Sequence, residues 1–265
     1  MPRPQRLDVR RSARMTDYWW VAYRRTWKGS VISSFVVPLL YVLAMGVLLG
    51  GFIEGDPAKL EGASSYLAFV VPGLLASQSM TRVFGEVTYP VMSRIKWDRS
   101  YYGMIATPLS VSDVVFAHLA YVVSFVALTS AVFLGVTAAF GVFHTVSGVL
   151  LAFLAQLLIA AAFAAPVYAF TARLRDESGF ALVFRLGMIP MFLFSGAFFP
   201  VANLDPWMET LAKATPLWHG VDLTRMLLVD RVDVPLMLVH IAYLGALTLT
   251  GWFFATRLLH RRLVD

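Results

Sequence analysis

The stretch VSGVLLAFLAQLLIAAAFAAPVYAFT, residues 146–171, decides the fold class, because it contains no Asp, Glu, Lys or Arg. A helix needs about 20 mostly apolar residues to cross the hydrocarbon core of a bilayer. This stretch exceeds that length, so we predict that it forms a transmembrane helix. The rest of the chain can be judged by the same measure.

Five further apolar runs qualify as transmembrane helices. Runs 31–52, 114–137 and 234–256 are uncharged, whereas run 64–91 carries Arg82 and Glu86 and run 179–199 carries Arg185. We therefore predict an all-α integral membrane protein with six transmembrane helices. Residues 1–30 are expected to form an amphipathic connecting helix in the cytoplasm, and residues 31–265 a single transmembrane domain.

The composition of the chain agrees with a membrane protein. Of its 265 residues 58% are apolar and 14% are charged, and that charged share is roughly half the share in soluble domains. The sequence has no cysteine, which excludes disulfides, thiolate metal sites and thiol catalysis. No cleavable signal peptide is expected, because the first apolar run is longer than the apolar region of such a peptide.

The orientation follows from the basic residues between the predicted helices. Segments 1–30, 91–113, 172–178 and 257–265 carry sixteen Lys and Arg residues, and segments 53–63, 138–145 and 200–233 carry four. Basic residues are enriched on the cytoplasmic side of membrane proteins. We therefore expect both termini in the cytoplasm, in a bacterial-type inner membrane.

The N-terminal segment combines aromatic and basic residues at helical spacing. Its aromatic members are Tyr18, Trp19, Trp20, Tyr23 and Trp27, and its basic members are Arg24, Arg25 and Lys28. Such a helix is stable in the headgroup layer, where rings and cations both find favourable surroundings. It is predicted to lie at the membrane interface, and a simple anchor for the first transmembrane helix is an equally good interpretation.

Two loops are too rich in apolar residues to be solvated turns. The cytoplasmic loop MSRIKWDRSYYGMIATPLSVSD, residues 92–113, interleaves basic and aromatic side chains, which favours a short amphipathic helix that contacts a protein partner. The outer segment 200–233 mixes Trp and Met with acidic residues. Pro206 and Pro216 are expected to punctuate it into short helices with one wet face and one membrane face, forming a re-entrant or capping structure.

Signatures of catalysis are absent from the sequence. It contains no G-x-x-x-x-G-K-[ST] phosphate loop, no G-x-G-x-x-G, no G-x-S-x-G and no H-E-x-x-H. The five histidines are scattered, and His118 and His240 fall inside predicted helices, where helix contacts are expected rather than metal or proton sites. We predict no catalytic residues, no metal site and no cofactor in this chain.

Charges inside the predicted helices are candidates for function, since they are costly in a bilayer. Arg82 and Glu86 lie four residues apart, so they can neutralise each other, and a structural role is favoured. Arg185 has no acidic residue three or four positions away. It is predicted either to reach the inner headgroups, to pair with Glu86, or to face a water-filled cavity that binds an anionic part of a substrate.

Three stretches resemble one family of transporters. They are Met92–Asp113, 190–206 (PMFLFSGAFFPVANLDP) and 214–228 (ATPLWHGVDLTRMLL). The first is similar to a basic loop ending in a Thr-x-Leu turn, and the third to a Pro-Leu-x-His-x-x-Asp-Leu-x-Arg pattern. The chain resembles the type 2 ATP-binding-cassette exporter permeases, in particular the nodulation-factor (lipo-oligosaccharide) and drug export permeases.

The resemblance implies a permease subunit of an exporter that moves an amphipathic drug, lipid or glycolipid. Two copies, or this chain and a sister permease, would each dock a separate ATPase that binds ATP and Mg, with no nucleic acid involved. In such a permease the loop 92–113 is the coupling helix. The residues expected to couple to the ATPase are Arg94, Lys96, Trp97, Arg99, Tyr101, Tyr102 and Thr107.

The resemblance also implies an outer exit at the end of the fifth helix. Ser195, Phe198 and Phe199 are expected near an external gate, and Met188 and Phe192, with Arg185, along the substrate pathway. Two other functions are possible: a membrane enzyme acting on lipid-linked substrates, with Asp205, Glu209, Asp222 or Asp230 as candidate groups, and a passive channel. No predicted helix carries the repeated polar stripe of a channel.

Overall fold

The described residues are entirely helical in their regular structure. The structure, a computed structural model, describes residues 7, 8, 12, 15, 18–21, 24, 36, 39–44 and 60–264. No strand occurs within these ranges. This confirms the predicted all-α membrane class. Most of the first predicted transmembrane run, 31–52, lies outside the described residues.

Among the described residues, four helices are long and apolar enough to cross a bilayer. The first is continuous from Tyr66 to Lys96 apart from a break at Thr88, which divides it into α1 (Tyr66–Val87) and α2 (Tyr89–Lys96). The others are α4 (Val111–Ala138), α5 (Val146–Arg173) and α10 (Val234–Leu263). They agree with four of the six predicted runs, and all four continue further than predicted at the end of the molecule where the 92–113 loop lies.

The fifth predicted run is shorter than expected. It consists of α6 (Ser178–Leu182), a π-helical segment (Val183–Met188) and α7 (Ile189–Phe194). The chain leaves the helix after Phe194 and turns, so the predicted end at Phe199 was wrong. The turn is sharp because Gly196 adopts a φ of +78°, a left-handed conformation that strongly favours glycine.

Helix α5 is the centre of the helix packing, with α1, α4, α9 (Pro216–Leu228) and α10 against it. Its packed face is rich in buried alanine, which lets neighbouring helices approach closely. One polar group crosses this core: Gln156 accepts a hydrogen bond from the Ser79 hydroxyl at 2.9 Å and donates one to Thr224 at 2.9 Å. These two hydrogen bonds join α1, α5 and α9, and they satisfy the buried amide of Gln156 without water.

The outer segment forms two short helices, as predicted. Helix α8 (Pro206–Lys213) and α9 each begin with their proline at the first helical position, where a missing N–H is tolerated. The predicted membrane-facing side was wrong for α9, because most of this helix is buried against α1 and α5. Helix α8 is more open, with Trp207 and Leu211 exposed.

Candidate functional site

The loop that was predicted to couple to a partner forms two short helices at one end of the molecule, which we call the basic end. Helix α2 ends at Lys96, and α3 (Ser100–Ile105) follows after a tight turn. Arg99 makes this turn with a φ of +51°. The Ser93 hydroxyl donates to the Asp98 carboxylate at 2.5 Å and closes the turn from within.

One side of this loop is open to solvent. Trp97 is 53% exposed and Tyr102 is 39% exposed, and Lys96 and Arg99 are also exposed. Thr107 lies just after α3, where its hydroxyl donates to the Met104 carbonyl at 2.6 Å. Aromatic residues and arginine are enriched at protein interfaces, so exposed Trp97 and Tyr102 beside Arg99 suit a contact surface.

The other side of the loop faces the protein interior. Tyr101 is fully buried, although its neighbour Tyr102 is exposed. The Arg94 guanidinium lies 3.6 Å from the centre of the Trp19 ring. Tyr101 is therefore not on the exposed face and Arg94 is stacked on the N-terminal segment, while the coupling role of the seven loop residues stays a prediction.

The N-terminal segment packs against protein at the basic end. Trp19 is buried and stacks on His118 of α4 at a centroid distance of 4.3 Å. The backbone N–H of Asp8 and the Ser12 hydroxyl both donate to Asp113. The predicted headgroup location is therefore wrong for Trp19, whereas Tyr18 and Arg24 are exposed. Tyr23, Arg25, Trp27 and Lys28 lie outside the described residues.

Two contacts fasten the exposed side of the loop to neighbouring segments. Lys96 Nζ lies 2.9 Å from Glu177 Oε2, and this hydrogen bond lowers the pKa of the Glu177 carboxyl. The Tyr102 hydroxyl donates weakly to the Arg262 carbonyl, at 3.4 Å. Arg262 itself donates to the last carbonyls of α5, those of Thr171, Ala172 and Leu174. The end of α10 therefore belongs to the same cluster as the loop.

The predicted exit lies at the opposite end of the molecule. The turn of residues 195–199, which we call the exit turn, rests on α1, where a Cβ added to Gly73 would lie 2.5 Å from the Cα of Ala197. Ser195 is buried, and Phe198 packs edge-to-face on Phe192 at 5.1 Å. Only glycine at position 73 allows so close an approach.

A buried arginine binds the exit turn. Arg225 of α9 is 4% exposed, and it donates to the Gly196 carbonyl at 2.5 Å and to Glu61 at 2.5 Å. Its guanidinium also lies 4.0 Å from the centre of the Phe69 ring. One side chain thus joins α9, α1, the exit turn and the segment before α1. The planar guanidinium suits this task, because its donors point in several fixed directions.

The same helix is fastened to α10 by two histidines. His219 Nδ1 lies 2.7 Å from His240 Nδ1, and His240 Nε2 lies 2.9 Å from Asp222 Oδ2. Burial lowers the pKa of His219 to about 4, so His219 is neutral at physiological pH. His240 makes helix contacts, as the sequence predicted, and these contacts include an acid that the sequence did not identify as its partner.

Arg185 lies in the π-helical segment and is exposed. Within the described residues the structure gives it no ion pair, so the predicted pairing with Glu86 does not occur there. An apolar cavity of about 520 Å³ opens between α7 and α8, and Leu186 lines it whereas Arg185 does not. Among its lining residues are Met191, Phe194, Trp207 and Met208, but Met188 and Phe192 of the predicted pathway are not.

Several residues of this architecture were missed by sequence reasoning. They are Glu61, Gln156, Tyr168, His219 and Arg225. His219 and Arg225 belong to the Pro-Leu-x-His-x-x-Asp-Leu-x-Arg stretch, whose three-residue spacing is the only signal that could have identified them. Glu61 lies 164 residues from Arg225, and no local pattern indicates such a pair.

Comparison with known proteins agrees with this architecture. A family model described as ABC-2 type transporter matches residues 13–229, from the N-terminal segment to the end of α9. The chain is 29% identical over 245 residues to Nodulation protein J of Rhizobium leguminosarum bv. trifolii, with 92% of this chain and 91% of the relative covered. It is 28% identical over 245 residues to Nodulation protein J of Rhizobium meliloti (strain 1021), with the same coverage. Because the family model spans most of the chain, the protein belongs to the ABC-2 type transporter family.

Proposed function

We propose that this chain is the permease subunit of an ATP-driven exporter that moves an amphipathic substrate such as a drug, lipid or glycolipid. It is not an enzyme by itself, since a separate ATPase, present twice in the complex, binds ATP and Mg and hydrolyses the ATP. The observation that carries the proposal is the open side of the loop at the basic end. Family membership identifies a transporter, and the loop offers the surface that an ATPase would need.

Charge supports the orientation in which the basic end faces the cytoplasm. The loop, the end of α5 with the residues that follow it, and the end of α10 bring Arg and Lys together at this end, as cytoplasmic loops do. Exposed Trp97 and Tyr102 then lie where an ATPase is found. We therefore assign direct ATPase contact to the exposed loop residues Lys96, Trp97, Arg99, Tyr102 and Thr107. In this orientation the protein lies in the inner membrane with both termini in the cytoplasm.

The opposite end supports an apolar route for the substrate. The cavity between α7 and α8 is lined almost entirely by apolar groups, among them flexible methionines that adapt to varied shapes. Arg185 does not line the cavity but precedes its lining residue Leu186, and it would attract an anionic part of the substrate, while Ser195, Phe198 and Phe199 would form the gate. Phe192 packs against Phe198 of this gate, and Met188, four residues earlier in the chain, would continue the pathway.

A second permease subunit is supported by one exposed face. Leu182, Leu186, Ile189 and Leu193 recur every three or four residues along the fifth helix, and all four are exposed. Such a stripe is suited to contact with another membrane helix. Of the four carboxylates considered for a lipid-modifying enzyme, Glu209 pairs with Lys213 and Asp222 pairs with His240.

The proposal is tested by purifying the chain with its ATPase and replacing exposed loop residues. Trp97→Ala combined with Tyr102→Ala is expected to reduce co-purified ATPase at least several-fold, because interface aromatic residues contribute much of the binding energy. The matched control is Trp207→Ala, which removes a tryptophan that is equally exposed at the opposite end. Equal ATPase recovery with both variants would contradict the assignment of this surface.

The orientation is tested separately with single cysteines, which can be introduced cleanly because the native chain has none. A cysteine at position 99 is expected to resist an impermeant thiol reagent in intact cells, and one at position 206 to react. The reverse pattern would place the loop outside and reject the proposed ATPase contact.

A further inference from the structure

Three buried polar side chains connect the loop to the transmembrane helices. The Tyr168 hydroxyl of α5 donates to the Tyr101 hydroxyl of α3 at 3.1 Å, and the Tyr101 hydroxyl lies 2.8 Å from His118 Nδ1 of α4. All three side chains are fully buried. We call this the Tyr168–Tyr101–His118 chain. It lies inside the basic end, behind the exposed face that bears Trp97.

The direction of these bonds follows from the number of protons available. A tyrosine hydroxyl has one proton to donate. The Tyr101 hydroxyl accepts from Tyr168, so its own proton is free to be donated to His118 Nδ1. If His118 Nδ1 were the donor instead, the Tyr101 proton would have no acceptor. Burial raises the pKa of Tyr101 to about 12, so the hydroxyl keeps its proton throughout the physiological range.

The surroundings hold the chain in one geometry. The Trp19 ring stacks on His118, and the Arg94 guanidinium lies 3.6 Å from the centre of the Trp19 ring. The Tyr168 ring meets His118 edge-on, at a centroid distance of 5.6 Å. The N-terminal segment, α2, α3, α4 and α5 therefore all converge on the same few side chains.

Packing alone would not require these hydroxyl groups. Phenylalanine fills nearly the volume of tyrosine, and a buried hydroxyl is unfavourable unless it is hydrogen-bonded. The other side-chain hydrogen bonds from residues 96–105 to distant segments lie at the surface: Lys96 and Glu177 are both partly exposed, and the Tyr102 bond is long. The buried chain is thus the directional connection through which movement of α3 reaches α4 and α5.

We infer that Tyr101 is a positioning residue that transmits displacement of the loop to α4 and α5 through its bonds with His118 and Tyr168. This inference rests on the proposed function, because it needs an ATPase that moves the loop. Tyr101 touches neither that ATPase nor the substrate in this arrangement. Its hydroxyl fixes how far the loop and the two transmembrane helices move together.

The test is Tyr101→Phe in the complete complex in proteoliposomes, with export counted per ATP hydrolysed. That ratio is expected to fall about fivefold, as for the loss of one net hydrogen bond. Tyr89→Phe is the matched control, because Tyr89 lies at the same end but is exposed, and its ratio should equal that of the wild type. Tyr101→Phe with a wild-type ratio would overturn the inference.

A second variant separates transmission from assembly. Tyr101→Phe removes the acceptor of Tyr168, so the double variant with Tyr168→Phe should have the same low ratio as Tyr101→Phe alone. Additive losses, or losses that follow the amount of co-purified ATPase, would assign these residues to assembly and reject the inference. A wild-type complex that neither hydrolyses ATP nor exports an amphipathic substrate would instead reject the proposed function.

Discussion

Replacing Arg225 by lysine tests whether one guanidinium holds the exit turn in place. Lysine keeps the positive charge but presents a compact ammonium instead of a planar fork. In the native protein the fork reaches three groups at once: the Glu61 carboxylate, the Gly196 carbonyl and, at 3.4 Å, the Phe69 carbonyl. A single ammonium can retain the bond to Glu61, but it loses the directed bond to Gly196.

The expected magnitude follows from these contacts. A hydrogen bond to a charged group contributes about 1.5–3 kcal/mol, and the lost stacking on Phe69 adds about 0.5–1 kcal/mol. Arg225→Lys should therefore lower the free energy of unfolding by about 3 kcal/mol. Glu61→Gln should cost less, because Glu61 is partly exposed and water can replace its contribution.

The assay combines stability with access to the exit turn. Denaturant unfolding in detergent gives the free energy, and the rate of maleimide labelling at Ser195→Cys reports how often the turn opens. Ser195 is buried in the native protein, so labelling should be slow there and faster with Arg225→Lys. Arg231→Lys is the matched control, since Arg231 is exposed on the connection after α9. Equal stability and equal labelling for Arg225→Lys and Arg231→Lys would refute the reasoning.

Two further outcomes are expected. Because the pKa of His219 is lowered to about 4 in the folded protein, only the unfolded chain binds its proton between pH 6.5 and 4, so stability should fall across this range by up to about 1.4 kcal/mol per pH unit. His219→Gln should flatten this dependence of the unfolding free energy on pH, and an unchanged slope would show that another group titrates. Arg185→Gln should impair export of acidic cargo more than export of neutral cargo, measured in the same proteoliposomes. Arg185→Lys keeps the charge and should keep most of the export activity. Equal loss of export for both cargoes would show that Arg185 has a structural role.

The transmembrane helices could be predicted from sequence because their signal is local. A run such as 146–171 specifies a helix wherever it is placed in a bilayer, and Pro206 and Pro216 specify where short helices begin. The end of the fifth helix could also have been read from Gly196, since glycine permits the left-handed turn found there. The π-helical segment around Arg185 has no comparable signal, because no residue type determines it.

The orientation of side chains within the loop could not be predicted in the same way. Tyr101 and Tyr102 are identical neighbours, yet one is buried and the other is exposed. The difference arises from His118 and Tyr168, which lie 17 and 67 residues from Tyr101. The sequence therefore predicts the loop as a contact surface, but only the tertiary structure separates its exposed residues from its buried ones.

The two ends of the molecule share one physical principle, although they are proposed to do different work. At the basic end a tyrosine hydroxyl, and at the opposite end an arginine guanidinium, add directed hydrogen bonds to the apolar packing between helices, as Gln156 does in the core. Apolar packing between membrane helices has little directional preference, whereas buried hydrogen bonds fix one arrangement. An exporter needs a few discrete arrangements rather than a continuous range. Substitution of Tyr101 or Arg225 should therefore let the helices adopt a wider range of relative positions, while the helices themselves stay folded.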